Sequence, residues 1–154
     1  MKRFFQTDAS WRGLILRVFL GGVMFPHGAQ KLFGWFGGHG FTATLSAFTD
    51  KMHIPAFLAF IVIILESLGS LGLIVGFMTR LIALGFFIFM IVAIRMVHWP
   101  NGFFINWFGQ QKGEGFEYHL LVLGISLALL IAGAGKASID RLIAGKNERG
   151  IGGL

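Results

Sequence analysis

Apolar residues along this chain gather in four long runs, separated by segments rich in glycine and charge. The runs cover about 13–36, 55–77, 81–97 and 118–134. Each comes close to the ~20 residues with which a helix crosses a ~30 Å hydrocarbon layer. The alternating apolar–polar segments of a membrane barrel are absent, so the pattern predicts an all-α integral membrane protein. Four spans in series predict an antiparallel, up-down-up-down four-helix bundle, a single domain over 1–154. The joint between the second and third runs is short, Gly76-Phe77-Met78-Thr79-Arg80. The first loop, about 37–54, carries His39, Asp50, Lys51 and His53, and the third, about 99–117, is dense in glycine and aromatics. After Gly135 the tail is polar, and the pattern predicts partial flexibility over 136–154.

Composition sharpens this reading. Of 154 residues, 55% are hydrophobic and 13% charged, with a mean hydropathy of +0.75. A soluble domain is about 45–50% apolar and about 25% charged, so this chain lacks the polar surface to cover a core in water. The net charge of +6 does not point to nucleic acid, because no basic run is interleaved with exposed aromatics. Eight basic residues fall on the side of both termini: Lys2, Arg3, Arg12, Arg80, Lys136, Arg141, Lys146 and Arg149. The opposite side has Lys31, Lys51, Lys112 and at most Arg95 as a fourth. The positive-inside rule then places both termini in the cytoplasm and the two longer loops outside. Trp11 at one end of the spans and Trp35, Trp99 and Trp107 at the other fit interfacial aromatic belts. Cysteine is absent, which excludes disulfides, thiolate nucleophiles and Cys-ligated metals within this chain. A secretory signal peptide is a poor reading of the start, since Arg12 and Arg17 interrupt the stretch after Lys2 and Arg3 where an apolar core would have to lie.

Ionisable residues inside a span cost about 2.5–3.5 kcal/mol at mid-helix, so each needs a partner, a cavity or a use. His27, Gln30 and Lys31 are spaced by three and four along the first span, which puts them on one helix face. Pro26 precedes them and favours a kink. At 1.5 Å per residue, Glu66 lies roughly 16 Å into the second span and Arg95 roughly 22 Å up the third, with His98 a turn beyond. The fourth run opens with Glu117, Tyr118 and His119. All four runs thus bring polar groups to one level, as a site inside a bundle requires. In that reading Glu66 and His27 are catalytic. Gln30, Lys31, Arg95, His98, Glu117 and His119 bind substrate or cofactor.

Simpler readings stand beside it. Glu66 can pair with Arg95 purely to hold register. Lys31, Arg95 and His98 can snorkel to the interface. Glu117 and His119 can serve a helix start, and His39 and His53 can be solvated. Arg17, roughly 6 Å into the first span, reads as snorkelling to lipid phosphates. No metal site is indicated. His27 and His98 lie within a turn of one depth, but two histidines on separate helices do not specify a haem. The run Gly37-Gly38-His39-Gly40 lacks the strand and Lys-Ser/Thr of a phosphate cradle.

The chain resembles the DoxX family of small bacterial membrane proteins. The likeness rests on segments in order: RVFLGGVMFPHGAQKLFGWFGGHGF, Glu66 with Gly69 and Gly72, GFMTRLIAL, His98 with Gly102-Phe103-Phe104, Glu117-Tyr118, and GAGKASID. It departs where Gly69-Ser70 stands for an expected glycine pair. The resemblance implies a four-helix protein of the bacterial inner membrane. Relatives have been linked with thiosulfate:quinone oxidoreduction and with membrane complexes that handle oxidative stress, so quinone is the implied cofactor. With no thiol and no flavin or haem motif, electrons come from a redox partner subunit or directly from substrate. The rival class is a non-enzymatic membrane anchor or assembly partner whose charges are structural. A small-solute or proton carrier is disfavoured unless the chain forms a homo-oligomer. Membrane lipid is the surrounding partner in every case.

The topology makes a direct prediction. Single cysteines replacing Lys51 and Lys112 should label from outside intact cells. Labelling only after the cytoplasmic face is opened would reverse the assigned orientation.

Overall fold

The computed structural model describes Phe5, Thr7 and residues 10–149, with side chains through 145. Lys2, Arg3, the side chains of Lys146 and Arg149 and the tail end, 150–154, lie outside the described residues. Among those described, the chain is all helix and turn with no strand. Helix α1 spans Trp11–Phe33 and runs through Pro26. Its start is capped by Ser10, whose hydroxyl accepts from the Gly13 N–H at 3.4 Å, and it stops at Gly34 in the left-handed region. A short helix α2, Gly40–Ser46, and a π turn at Ala47–Lys51 occupy what the sequence suggests is open loop. Helix α3 spans Ala56–Val75 and α4 spans Thr79–Asn101. Helix α5 is Glu117–Ala132, and α6 is Ile139–Arg149.

The four predicted runs therefore each contain a helix, with ends shifted by a few residues. Helices α3 and α4 are each long and apolar enough to cross a bilayer, at 20 and 23 residues with mean hydropathies of 2.5 and 2.3. Helix α1 is as long but carries Arg12, Arg17 and Lys31, and α5 is shorter at 16 residues. Large apolar side chains point outward on all four, among them Phe19, Leu71, Ile88 and Ile131. A water-soluble chain of this size does not expose apolar surface on every face, so the exteriors fit lipid. A smaller interior core joins Leu20 and Met24 of α1, Leu73 of α3, Phe86 and Met90 of α4, and Val122 and Leu129 of α5.

Packing is close on one flank and loose on another. Helix α1 lies against α3, and α4 against α5, while α5 closes on α1. The α1–α3 seam is tight because of glycine. A Cβ on Gly21 would sit 2.6 Å from the Ser70 carbonyl oxygen, and one on Gly28 would overlap the carbonyl of Glu66. Between α3 and α4 the contact runs along Leu65–Val75. Toward their loop ends the two helices separate.

The end of the molecule that holds the starts of α1 and α4 is locked by one side chain. Arg17 is 1% exposed. Its Nε donates to the Ala134 carbonyl at 2.9 Å, Nη1 to the carbonyls of Leu73 at 3.0 Å and of Ile74, and Nη2 to those of Lys136 at 3.1 Å and Ala137 at 2.6 Å. Arg17 thus does not snorkel to lipid. The end of α3 and the segment after α5 present it with carbonyls that no helix can satisfy, and a planar five-donor group answers them. Asp140 completes the knot: the N–H groups of Met78 and Thr79 donate to its Oδ1 and Oδ2 at 2.7 and 2.9 Å, capping α4. Ser138 caps α6 by accepting from the Arg141 N–H at 3.3 Å. With that cap in place, the polar stretch after Ser138 forms helix over Ile139–Arg149.

Arg17→Lys should lower the melting temperature of the detergent-solubilised protein sharply, because an ammonium cannot reach all five carbonyls. Each buried carbonyl left unpaired costs about 1–3 kcal/mol, so a loss of more than about 3 kcal/mol is expected. Unchanged melting would show that lipid or water replaces the guanidinium.

Candidate functional site

At the other end, the separation of α3 from α4 opens a cavity of about 1270 Å³. Its polar floor is built by α1 and α3 together. Lys31 lies one turn beyond His27 on α1, and its Nζ stands 2.9 and 3.1 Å from Oε2 and Oε1 of Glu66. The same ammonium donates to the His27 carbonyl at 3.3 Å. Glu66 is 3% exposed, so the pair sits in low dielectric with its charges matched. The expected Glu66–Arg95 pair does not form: Arg95 is exposed on α4 and away from the cavity. Depth alone matches the two residues, but depth carries no information about which way a side chain turns about its helix axis.

Local backbone places Glu66. Helix α3 widens into a π turn at Leu65–Gly69, an insertion found most often at functional positions. The Ser67 hydroxyl donates to the Ile63 carbonyl at 2.6 Å and that of Ser70 to the Glu66 carbonyl at 2.5 Å, satisfying the widened backbone. Gly28 lets α1 press directly on this turn. A second π turn, Ile94–His98, occurs on α4 at the cavity's other wall and ends on His98. The His98 and His119 rings lie 4.0 Å apart at 43°. His98 Nδ1 is 2.8 Å from the Glu114 carbonyl. His119 Nδ1 is buried and takes no hydrogen bond among the described residues.

Of the residues singled out in the sequence, His27, Lys31, Glu66, His98 and His119 line this cavity. Gln30 does not. It turns to the first loop, donating to the Phe36 carbonyl at 3.1 Å, beside a separate recess of about 330 Å³. Glu117 does not line it either, because its Oε1 accepts from the Ile105 N–H at 3.0 Å and fixes the third loop. The aromatics of that loop stack on one another, Trp99 on Phe116 at 5.5 Å, so Ile105, Glu114 and Gly115 supply the roof. Two lining residues escape the sequence reading. Tyr118, whose hydroxyl donates to Met24 Sδ at 3.2 Å, shows in the sequence only as part of a helix start. His53 reaches the rim from a loop where solvation is the simpler expectation. Their only sequence signal is adjacency to His119 and to the start of α3.

The floor pair makes a stability prediction. Glu66→Ala should destabilise the solubilised protein by more than Glu66→Gln, since it strands the Lys31 ammonium. In a Glu66→Gln/Lys31→Met cycle, melting should report a coupling of at least about 1 kcal/mol. Additive effects would mean that each side chain is held independently.

The DoxX family profile matches residues 13–99, from the first turns of α1 into the last turn of α4. A protein of Bacillus subtilis (strain 168) named "Putative oxidoreductase CatD" is 30% identical over 116 residues, spanning 75% of this chain and 76% of that one. No solved structure matches the chain significantly. With more than half its length inside the family profile, this chain is a membrane protein of the DoxX family.

Proposed function

We propose that the protein is a quinone-linked redox component of the bacterial inner membrane. In this reading it is a four-helix bundle with both termini in the cytoplasm and its cavity toward the outer side. One observation carries the proposal: the buried Glu66, paired with Lys31, forms the floor of a large and mostly apolar cavity. A quinone is an apolar ring with two carbonyl oxygens. The apolar walls suit the ring, and Lys31, His27 and His119 suit the carbonyls as cationic or neutral N–H donors. The unsatisfied His119 Nδ1 supports a ligand here, because a buried polar atom without a partner is costly unless something meets it.

Reduction of a quinone to the quinol takes two electrons and two protons. The electrons would come from a donor on a partner subunit. The protons would pass through the chain's own groups, with Glu66 and His27 delivering them at the ring oxygens and Lys31 holding the carboxylate in place between transfers. The name of the Bacillus relative supports oxidoreductase chemistry in the family.

The second reading, an anchor or assembly partner with structural charges, is favoured by a specific observation. The charge of Glu66 is met by Lys31 inside the chain.

Protein purified in native lipid separates the two. Solvent extraction and optical difference spectra should show a quinone bound to wild type. His27→Ala with His119→Ala should weaken a soluble quinone analogue by about tenfold or more, the loss of a good hydrogen bond or two. A wild-type protein that carries no quinone and binds no analogue supports the anchor.

A further inference from the structure

The cavity is too large and too one-sided for a ring alone. Compact ligands occupy sites of about 300–1,000 Å³, and this one holds about 1270 Å³. Its polar groups line the inner wall, from Lys31 and Glu66 on the floor to His98 and His119 below the third loop. The remainder is a cleft that follows α4 from Leu81 to Val97, roughly 24 Å at 1.5 Å per residue, and faces α3 from Leu58 to Gly69. Apolar side chains form both walls. Leu58, Leu84 and Ile88 line the cleft while remaining half-exposed on the outer surface of the helices. The cleft is therefore open sideways, toward the hydrocarbon that surrounds α3 and α4, along most of its length.

The backbone is arranged to keep that side open. Helices α3 and α4 touch along Leu65–Val75 and diverge beyond it. At the seam Gly85 faces Leu65, whose methyl group would be 2.8 Å from a Cβ there. Helix α5 closes the opposite flank, between α4 and α1. The cationic and N–H donors line the inner side of the cleft, and the apolar, half-exposed side chains of α3 and α4 lead from them to lipid. That is the outline of an amphiphile with an oxygen-bearing head and one long tail.

We infer that the α3–α4 cleft holds the tail of a lipid quinone, which passes sideways from the bilayer into the site with its ring leading toward Lys31 and Glu66. This inference rests on the quinone reading and adds to it the route and the seat of the tail. It has two physical consequences. The ring never has to cross the polar third loop. The tail supplies apolar burial of about 0.8 kcal/mol per methylene, which holds the ligand while the head changes redox state.

The test uses two probes on the full chain in nanodiscs: a tailless methoxylated benzoquinone and the same ring with a decyl chain. Each is measured on wild type, on Ile88→Trp and on Leu58→Trp. Both substitutions fill the lipid-facing mouth of the cleft, replace no polar group of the site and sit on exposed faces that tolerate bulk. Comparing variants for the same probe cancels its partition into lipid. Both variants should weaken the decyl probe by about tenfold, as expected for displacing two methylenes, and leave the tailless probe within about twofold. Equal behaviour of the two probes in both variants, whether unchanged or equally weakened, overturns the assignment of the tail to this cleft while leaving the quinone reading intact. Failure of both probes on wild type removes the quinone reading, and this inference with it.

Discussion

A guanidinium in an apolar interior is tolerated only when nearly all of its N–H groups find acceptors. Arg17 meets that condition by collecting carbonyls that helix ends leave over. The exchange is mutual, since helix ends leave carbonyls short of intrahelical partners, and even the Leu73 carbonyl, which accepts from the Gly76 N–H at 3.0 Å, has a second lone pair to offer. The end of α3 and the turn after α5 are thereby fixed to α1 at one point. Asp140 then ties the start of α4 to the same turn. The turn itself adopts its shape through Gly133 and Gly135 at positive φ, which points Ala134, Lys136 and Ala137 carbonyls inward together. A side chain with five hydrogen bonds is thus remote from the cavity and organises the opposite end.

Locking one end has a consequence at the other. Helices held together at their base can diverge toward their tips without losing register. The α3–α4 cleft is such a divergence, narrowed where Leu65 meets Gly85 and roofed by the third loop. The α1–α3 flank cannot open in the same way, because Gly21 and Gly28 bring the two backbones into direct contact. Asymmetry between a glycine-closed flank and a leucine-lined open one is therefore written into the chain, and it decides where a ligand can approach.

The helices are legible in the sequence because their signal is additive. Twenty apolar residues in a row outweigh any local ambiguity, and the four runs each contain an observed helix. Placement of polar groups by depth also carries over: His27, Lys31, Glu66, His98 and His119 share one cavity. What depth cannot supply is azimuth. A residue of a helix turns by about 100° relative to its neighbour, and a π turn shifts everything after it by a further increment. Gln30 and Arg95 fall on the wrong side of that ambiguity, and Lys31, for which snorkelling is the simpler reading, proves to be the partner of Glu66. Arg17 departs from expectation for a different reason. Insertion costs argue that a charge near a span end escapes to the interface, but they do not count the orphan carbonyls that other helix ends bring to the same depth. The GAGKASID segment holds that information, as a turn with two glycines followed by two capping residues.

Two of the three π turns among the described residues, those of α3 and α4, unite fold and site. A π turn widens the backbone and leaves a carbonyl poorly served, so it persists only where something compensates. In α3 the compensation is internal, through the hydroxyls of Ser67 and Ser70. It is also external, through Gly28, which allows α1 to pack on the bulge without a side chain between them. The result is that Glu66 projects from a rigid, doubly supported turn toward Lys31, one helical turn from Gly28 along α1. In α4 the bulge carries His98 to within 4.0 Å of His119 on α5. Each wall of the cavity thus gives up regular helix geometry to aim one ionisable group inward. A fold needing only to span a bilayer gains nothing from either irregularity, since regular helices satisfy their backbone more completely. Two such turns, each presenting a side chain to the same cavity, argue that the cavity and not the span is what this stretch of sequence is shaped to preserve.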